Sequence, residues 1–214
     1  LDVEGFQAVR RMIAWYRQKR LSDLHELTEG QVQSEGQRDV VMRWAEAQDY
    51  TLPGFTKEDL GKVLADDSVP ENVRQVVEIR LELSQVSTKK YEKMNAVCCP
   101  DGRARGNLTY HRASTGRNGG SGLQLHNFPR DYMSTDERVI QECINFIGKE
   151  QYDVVEALYG NPLDVAKGLL RNMVIAPPGQ RLFVADFAGV ENRGTAWLAR
   201  DSEGLRVFAE ERDQ

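Results

Sequence analysis

An aspartate stands between a short apolar run and a turn near the end of the chain. Residues 182–185 (Leu-Phe-Val-Ala) predict one buried strand, which ends at Asp186. Gly189 then allows a tight turn, and from Val190 the apolar residues recur at helical spacing with Glu191 in the first turn. A carboxylate at such a strand end can hold a hard divalent cation through its oxygens. Aspartate is also common as a turn former or helix cap, so the residue types leave both interpretations open.

A basic stretch lies upstream of that aspartate. Residues 88–130 contain eight basic and two acidic side chains, a net charge of +6 in a chain whose total charge is −5. Phosphate binding depends on the local field rather than on the total charge, so this stretch predicts a nucleic-acid contact. A solvated charged face is the alternative. The basic residues are Lys89, Lys90, Lys93, Arg103, Arg105, Arg112, Arg117 and Arg130.

The same stretch includes a glycine-rich segment at residues 111–122. Its composition predicts a loop, with neither helix nor sheet, and it lacks the Gly-Lys-Ser/Thr of a phosphate-binding P-loop. A flexible linker is the simpler interpretation. Leu-Gln-Leu-His-Asn-Phe-Pro-Arg follows directly at residues 123–130 and favours a binding loop.

Two helices are predicted in the first 50 residues. Apolar side chains recur at helical spacing over residues 6–16, with arginines on the opposite face. A second apolar stripe covers residues 40–45, and Ser34 is a plausible N-cap ahead of it.

More helices are predicted further along the chain. Thr56 and Asp59 have the spacing of a capping box, which opens one helix. Another is predicted to begin at Glu71, after a proline, and to run toward residue 91. Apolar stripes predict a helical insert over residues 131–175, including a last helix that begins near Pro162. Between these regions, Pro-Asp-Gly at residues 100–102 predicts a tight turn, with residues 103–110 as the returning strand.

Length and composition bound the class of protein. The chain has 214 residues, enough for one substantial core or two small ones. It has no apolar run near the roughly 18–20 residues that span a bilayer, and its three cysteines form no disulfide or metal-binding pattern. A reducing cytoplasm is therefore the expected location. The chain starts at Leu1 without Met, so we expect a piece of a longer protein.

Two motifs resemble those of family A (DNA polymerase I-like) DNA polymerases. Residues 186–193, Asp-Phe-Ala-Gly-Val-Glu-Asn-Arg, resemble the first palm motif, Asp-aromatic-Ser-x-Ile-Glu-x-Arg, with Ala188 and Gly189 as departures. Thr-Gly-Arg at 115–117, followed by residues 123–130, resembles the family's Thr-Gly-Arg…Leu-Gln-x-Asn-(Ile/Leu)-Pro-Arg signature. The long helical insert is similar to the bacteriophage-type branch.

The resemblance implies a role for each matching residue. Asp186 would bind two Mg²⁺ ions, the Phe187 carbonyl would join one of them, and Glu191 would sit against the sugar of the incoming nucleotide. Arg117 would bond the minor-groove edge of the terminal base pair. Because minor-groove acceptors lie at nearly equivalent places in every Watson–Crick pair, one donor can check pair shape without reading sequence. The other implied DNA contacts are Gln124, Asn127, Arg130, Arg112, Lys89 and Lys90.

The resemblance also implies an α+β fold. Residues 1–95 would form a helical thumb, and residues 96–214 part of a palm with a small antiparallel sheet that carries the catalytic aspartate. Within that palm would lie a minor-groove loop at 103–130, the helical insert at 131–175 and a catalytic strand-turn-helix at 181–199.

The implied function is DNA-directed DNA synthesis from dNTPs on a primer–template. The fingers and the second palm motif, His-Asp-Glu, do not appear in the sequence. They would come in cis or as a separate chain, and we expect no synthesis from these residues alone. No membrane partner is expected, and a phage-encoded protein would act in the cytoplasm of its bacterial host. A metal-dependent nuclease using Asp186 and Glu191, or a non-catalytic nucleic-acid-binding protein, are the alternatives.

Overall fold

The structure is a computed structural model that describes residues 1–84, 88–129, 133–185 and 189–209. The chain forms two compact units, Leu1–Ile175 and Ala176–Gln214. Both are mainly helical, and the first also holds a small antiparallel sheet. The first unit comprises α1 (Val3–Leu27), α2 (Arg38–Glu46), α3 (Lys57–Ala65), α4 (Glu71–Leu83), α5 (Lys89–Val97), β1 (Leu108–Thr109), β2 (Gly119–Gly120), α6 (Glu137–Gly148), α7 (Tyr152–Tyr159) and α8 (Pro162–Leu169), and the second comprises α9 (Val190–Leu198) and α10 (Ser202–Ala209).

Helix α1 supplies side chains to two hydrophobic cores of the first unit. Its N-terminal half buries Phe6, Met12 and Tyr16 in what we call the first core, together with side chains of α5 to α8 and residues 123–128. Its C-terminal end places Leu24 in the second core, which α2, α3 and α4 complete. The predicted helix over residues 6–16 is confirmed. The first core contains side chains from before and after residue 95. The division into thumb and palm at that residue stays a prediction.

The helix starts follow their local capping chemistry. Thr56 and Asp59 form the predicted capping box: the Asp59 amide donates to Thr56 Oγ1 at 3.1 Å, and the Thr56 amide donates to Asp59 Oδ2 at 3.2 Å. Ser34 is not the N-cap of α2, which begins after Gln37. The Gln37 amide oxygen instead accepts from the backbone N–H groups of Gln33 and Ser34, so residues 33–37 form their own turn.

The long helix predicted from Glu71 toward residue 91 is two helices in the structure. Helix α4 does begin at Glu71, but it ends at Leu83. Ser84 donates its hydroxyl to the Leu81 carbonyl at 2.9 Å, a local bond that competes with continued helix. Helix α5 starts afresh at Lys89, and residues 85–87 lie outside the described residues.

One strand of the sheet, β2, lies in the stretch where a loop was predicted. The turn at residues 100–102 is confirmed, because the Gly102 amide donates to the Cys99 carbonyl at 2.9 Å. Across that turn the described residues form a single bridge, between Cys98 and Ala104, in place of the predicted returning strand. Residues 108–109 instead pair with a downstream strand, Leu108 with Gly120 and Thr109 with Gly119. The expectation that residues 111–122 hold no sheet is therefore wrong. Glycine is required there, since a Cβ on Gly119 would stand 2.5 Å from Cδ of Arg112.

The strand predicted at residues 182–185 does not form. These residues have no regular structure, and the side chains of Phe183 and Val184 are 93% and 94% exposed. An apolar run forms a strand only when a second strand completes its ladder. The second unit offers only helices among its described residues, and the sheet of this α+β chain lies at residues 108–120. Asp186 lies outside the described residues.

None of the helices in the described part of the chain is both long and apolar enough to cross a membrane.

A partly buried polar network links α1, α4 and the start of α8. Glu82 accepts from Arg20 Nε at 2.8 Å, from the Tyr16 hydroxyl at 3.4 Å and from Asn161 Nδ2 at 2.8 Å. Burial, and then the charge of Glu82, raise the pKa of Tyr16 well above its ordinary value. The Tyr16 hydroxyl therefore stays protonated and donates to Glu82.

Glu82→Ala is expected to destabilise the first unit, because it removes an acceptor that three partly buried donors share, although Arg20 keeps its bond to Asp23. A loss of about 1–3 kcal/mol in the free energy of unfolding is typical of such groups. Urea unfolding would measure the loss. Glu58→Ala is the control, since its ion pair with Lys62 is exposed and contributes only ~0.5 kcal/mol or less. Equal effects of the two substitutions would contradict a structural role for the network.

Candidate nucleic-acid interface

Asn107 joins three parts of the glycine-rich region. Its side-chain Nδ2 donates to the Ala104 carbonyl at 3.0 Å, and its Oδ1 accepts from the Leu123 amide at 3.0 Å. Its own carbonyl accepts from the Ser121 amide at 2.9 Å. Ser121 and Leu123 are thus both bonded to Asn107 itself, one through its carbonyl and one through its side chain. Sequence reasoning did not single out Asn107, because the partners of an asparagine in a loop lie far along the chain.

Gln124 and Asn127, both predicted DNA contacts, lie together. Asn127 Nδ2 donates to Gln124 Oε1 at 3.0 Å, and the Asn127 amide donates to the Gln124 carbonyl at 2.9 Å. Gln124 adopts a left-handed conformation, with φ 51°, at the start of a single 3-10 turn. On either side of this turn Leu123 and Phe128 are buried in the first core. We call residues 123–129 the polar loop; two apolar side chains hold it while Asn127 stays exposed.

A second contact holds the far end of the polar loop. Arg171 donates from Nε to the Pro129 carbonyl at 2.9 Å and from Nη2 to the Phe128 carbonyl at 3.0 Å. Sequence reasoning missed Arg171 because the bonded residues are more than 40 positions apart. Arg130 lies outside the described residues.

The two arginines of the glycine-rich segment differ in their surroundings. Both are exposed, and Arg112 Nη1 donates to the Gly120 carbonyl at 3.2 Å, so Arg112 braces the hairpin. Arg117 lies in a tight turn closed by bonds between Ala113 and the backbone of residues 116 and 117. Gly116 has φ 78° in that turn, and a Cβ there would approach His111 Nε2 to 3.0 Å. The turn therefore needs glycine and presents Arg117 at the surface.

The predicted lysine contacts lie at the start of α5. Lys89 is exposed, and Lys90 places its Nζ 6.0 Å from the centroid of the Phe128 ring, which brings α5 beside the polar loop. Cations in the first turn oppose the helix dipole, so they do not favour the helix itself. Their presence there is consistent with an anionic partner.

Both acidic side chains of the basic stretch are ion-paired. Asp101 bonds Arg105 at 2.5 Å, and the pKa of Asp101 falls well below its ordinary range, mainly because of that bond. Glu92 pairs with Arg10 of α1 at 2.7 Å. Other basic residues of the stretch therefore set its surface charge. The exposed ones among the described residues are Lys89, Lys93, Arg103, Arg112 and Arg117.

The second unit places Glu191 in the first turn of α9. The helix begins as predicted after Gly189, whose φ of 60° suits glycine, and Glu191 is exposed. The Thr195 hydroxyl donates to the Glu191 carbonyl at 2.9 Å. Arg193 lies over the Phe208 ring at 4.8 Å and so packs α9 on α10. Sequence analysis did not predict α10.

The predicted metal ligands Asp186 and Phe187 lie outside the described residues. The described ones contain no group of three histidine, cysteine, aspartate or glutamate side chains that could hold a metal ion. The structure thus brings together Gln124 and Asn127 and places Lys90 over the Phe128 ring of the same loop, and the catalytic role of Asp186 stays a prediction.

The sequence is similar to a DNA polymerase of Bacillus phage SP02. The two are 32% identical over 167 residues, which make up 78% of this chain and 25% of that polymerase. The chain therefore spans about a quarter of the length of the curated relative. No family model matches the sequence. No solved structure matches it either.

Proposed function

We propose that this chain is part of a DNA-directed DNA polymerase of family A, of the bacteriophage-type branch. The similarity to the phage polymerase over most of the chain supports the DNA polymerase part of this proposal. The family A part rests on the motif resemblance of residues 115–130 and 186–193. The reaction is template-directed transfer of a nucleotide from a dNTP to the 3′-hydroxyl of a primer. Residues 1–95 would form the thumb and residues 96–214 part of the palm, while the fingers and second palm motif would come in cis or as a separate chain.

The polar loop and the glycine-rich segment would contact the minor groove. Gln124 and Asn127 orient each other through their side chains, so each reaches the surface with a defined direction. Arg117 would donate to the acceptors that every Watson–Crick pair presents at nearly equivalent places. Arg112, Arg130, Lys89 and Lys90 would interact with phosphates, which give affinity without sequence preference.

Asp186 and the Phe187 carbonyl would hold magnesium. Both offer the hard oxygen donors that Mg²⁺ prefers, and a full site needs further ligands. Two bound Mg²⁺ ions stabilise the attacking and leaving oxygens of nucleotidyl transfer. This chain would supply one metal-binding carboxylate, Asp186, four residues before α9 in the sequence, and would hold the primer terminus through the polar loop.

The binding half of the proposal is tested with the purified chain and a fluorescent primer–template. We expect weak binding whose affinity falls steeply between about 50 and 200 mM salt, with a slope that grows with the number of phosphates that the protein neutralises. Binding that does not change with salt would contradict phosphate contacts.

A non-catalytic nucleic-acid-binding role is the second candidate, favoured by the basic stretch. Metal-dependent primer extension by the complete protein would exclude that second role.

Arg117→Ala in the complete protein is expected to slow primer extension and to weaken discrimination against a mismatched primer end. The loss of one minor-groove donor should cost about tenfold in extension from a matched end, or 1.4 kcal/mol. Single-nucleotide extension from matched and mismatched primers measures both effects. Arg138→Ala removes an exposed arginine from α6 and is the control. If Arg117→Ala extends both primers as the parent does, the minor-groove role is wrong.

A further inference from the structure

Arg171 makes a two-pronged contact with the backbone at the end of the polar loop. It belongs to the short 3-10 helix Leu170–Met173, which follows α8 directly. Its Nε donates to the Pro129 carbonyl at 2.9 Å and its Nη2 to the Phe128 carbonyl at 3.0 Å. One planar guanidinium thus grips two consecutive carbonyls from a distant part of the chain. A fork of this kind fixes direction as well as distance.

The residues that flank the Arg171 contact are packed in the first core. Leu170 and Met173, on either side of Arg171, are completely buried in the first core. Phe128, whose carbonyl Arg171 holds, buries its ring in the same core. The polar loop is therefore fixed at one end by Leu123 and at the other by Phe128 and the Arg171 fork. Between these two points His126 and Asn127 reach the surface together with Leu125, which is 39% exposed.

We infer that Arg171 is a positioning residue for the DNA-contacting loop. It sets the backbone direction after Asn127, and so the orientation in which Gln124 and Asn127 meet the duplex. The inference rests on the proposed function for its DNA half, whereas the anchoring half stands on the hydrogen bonds alone. A lysine at this position keeps the charge but loses the planar fork, so it would hold at most one carbonyl at a time.

The rival explanation is that Arg171 bonds a DNA phosphate directly. The salt dependence of binding separates the two. A direct phosphate contact contributes about 0.9 to the slope of log affinity against log salt, and its removal lowers the slope by that amount. A positioning residue whose fork is engaged with carbonyls contributes no counterion release of its own. Its removal lowers affinity and leaves the slope nearly unchanged.

The anchoring half is tested by amide hydrogen exchange in the free 214-residue chain. Arg171→Met is expected to accelerate exchange at the Asn127 and Phe128 amides by about tenfold, because local opening of the loop becomes easier. Arg171→Lys should accelerate the same amides less, and it serves if the methionine variant does not fold. Arg74→Met is the matched control, since Arg74 Nη2 donates to the Asp66 carbonyl at 3.0 Å far from the loop. Unchanged exchange at the Asn127 and Phe128 amides overturns the inference, whatever the DNA-binding measurements give.

The positioning half is tested by a double-mutant cycle on primer–template affinity. Asn127→Ala is expected to weaken binding several-fold in the parent and to have little further effect beside Arg171→Met, because a displaced loop no longer aims Asn127. Arg74→Met should show no such coupling. Full additivity of Arg171→Met and Asn127→Ala, or a lower salt slope, overturns positioning. A parent chain that fails to bind primer–template at all overturns the proposed function and the DNA half with it, while hydrogen exchange still reports on the anchor.

Discussion

Asp186→Ala in the complete protein is expected to abolish primer extension, lowering its rate by about a thousandfold or more. The aspartate is the residue to which the resemblance assigns both metal ions, and alanine offers no oxygen in its place. Primer–template affinity should change by less than about twofold, because the phosphate contacts that dominate affinity come from the basic stretch. A primer-extension assay with Mg²⁺ and four dNTPs, run beside a binding titration, measures both quantities.

The 214-residue chain by itself is expected neither to extend primers nor to hydrolyse DNA. Two Mg²⁺ ions about 4 Å apart repel strongly unless several anions bridge them, and Asp186 is one carboxylate. Adding the fingers and second palm motif, in cis or as a separate chain, should give synthesis that depends on Asp186. Asp201→Ala is the control, since Asp201 caps α10 through a bond from the Gly204 amide. Template-directed product from the parent chain alone that vanishes in Asp186→Ala would mean that a second carboxylate has been overlooked.

Helices of the first unit were predictable because their signals are local. The capping box of Thr56 and Asp59 needs only three residues of separation, and it forms as the spacing requires. Pro162 likewise starts α8 at a position where its missing N–H costs nothing. The end of α4 was not predicted, since the Ser84 hydroxyl can bond either to water or back to the helix. Apolar periodicity alone cannot decide whether the helix continues past Ser84 or ends there.

The sheet and the strand were harder to predict because both depend on partners distant in sequence. Gly119 and Gly120 have low strand propensity, yet they pair with β1. Glycine is needed at both positions because side chains occupy the space where a Cβ would stand, Arg112 at Gly119 and His126 at Gly120. Residues 182–185 have the composition of a strand and no partner among the described residues. Strand propensity therefore mattered less than the availability of a neighbouring edge.

In the candidate interface, too, local sequence signals were predictable and contacts between distant segments were not. Motif resemblance indicated Gln124 and Asn127, and the structure adds that they bond each other. Nothing in the sequence indicated Asn107 or Arg171, because the significance of each lies in carbonyls and amides contributed by other segments. A motif thus identifies the residues that face a ligand, and the residues that hold the motif in place emerge only from the fold.

Glu191→Ala is expected to relax discrimination against ribonucleotides in the complete protein. Glu191 stands five residues after Asp186, and the resemblance places its side chain where a 2′-hydroxyl would enter. The structure puts it in the first turn of α9, where a carboxylate is favoured by the helix dipole. Removing that side chain opens room for the hydroxyl, and the ratio of kcat/KM for dNTP over rNTP should fall by about ten- to a hundredfold, or 1.4–2.7 kcal/mol.

Two companion variants separate steric exclusion from other causes. Glu191→Gln keeps the length and shape of the side chain, so a steric block predicts that it retains most of the discrimination. An electrostatic block predicts that Glu191→Gln behaves as Glu191→Ala does. Glu203→Ala removes the first-turn acid of α10 and should leave sugar selectivity unchanged. Of the roles open to an exposed first-turn glutamate, only contact with the nucleotide sugar predicts an effect that depends on one hydroxyl of the substrate. An unaltered dNTP-to-rNTP ratio in Glu191→Ala would therefore contradict the placement of Glu191 at the nucleotide site.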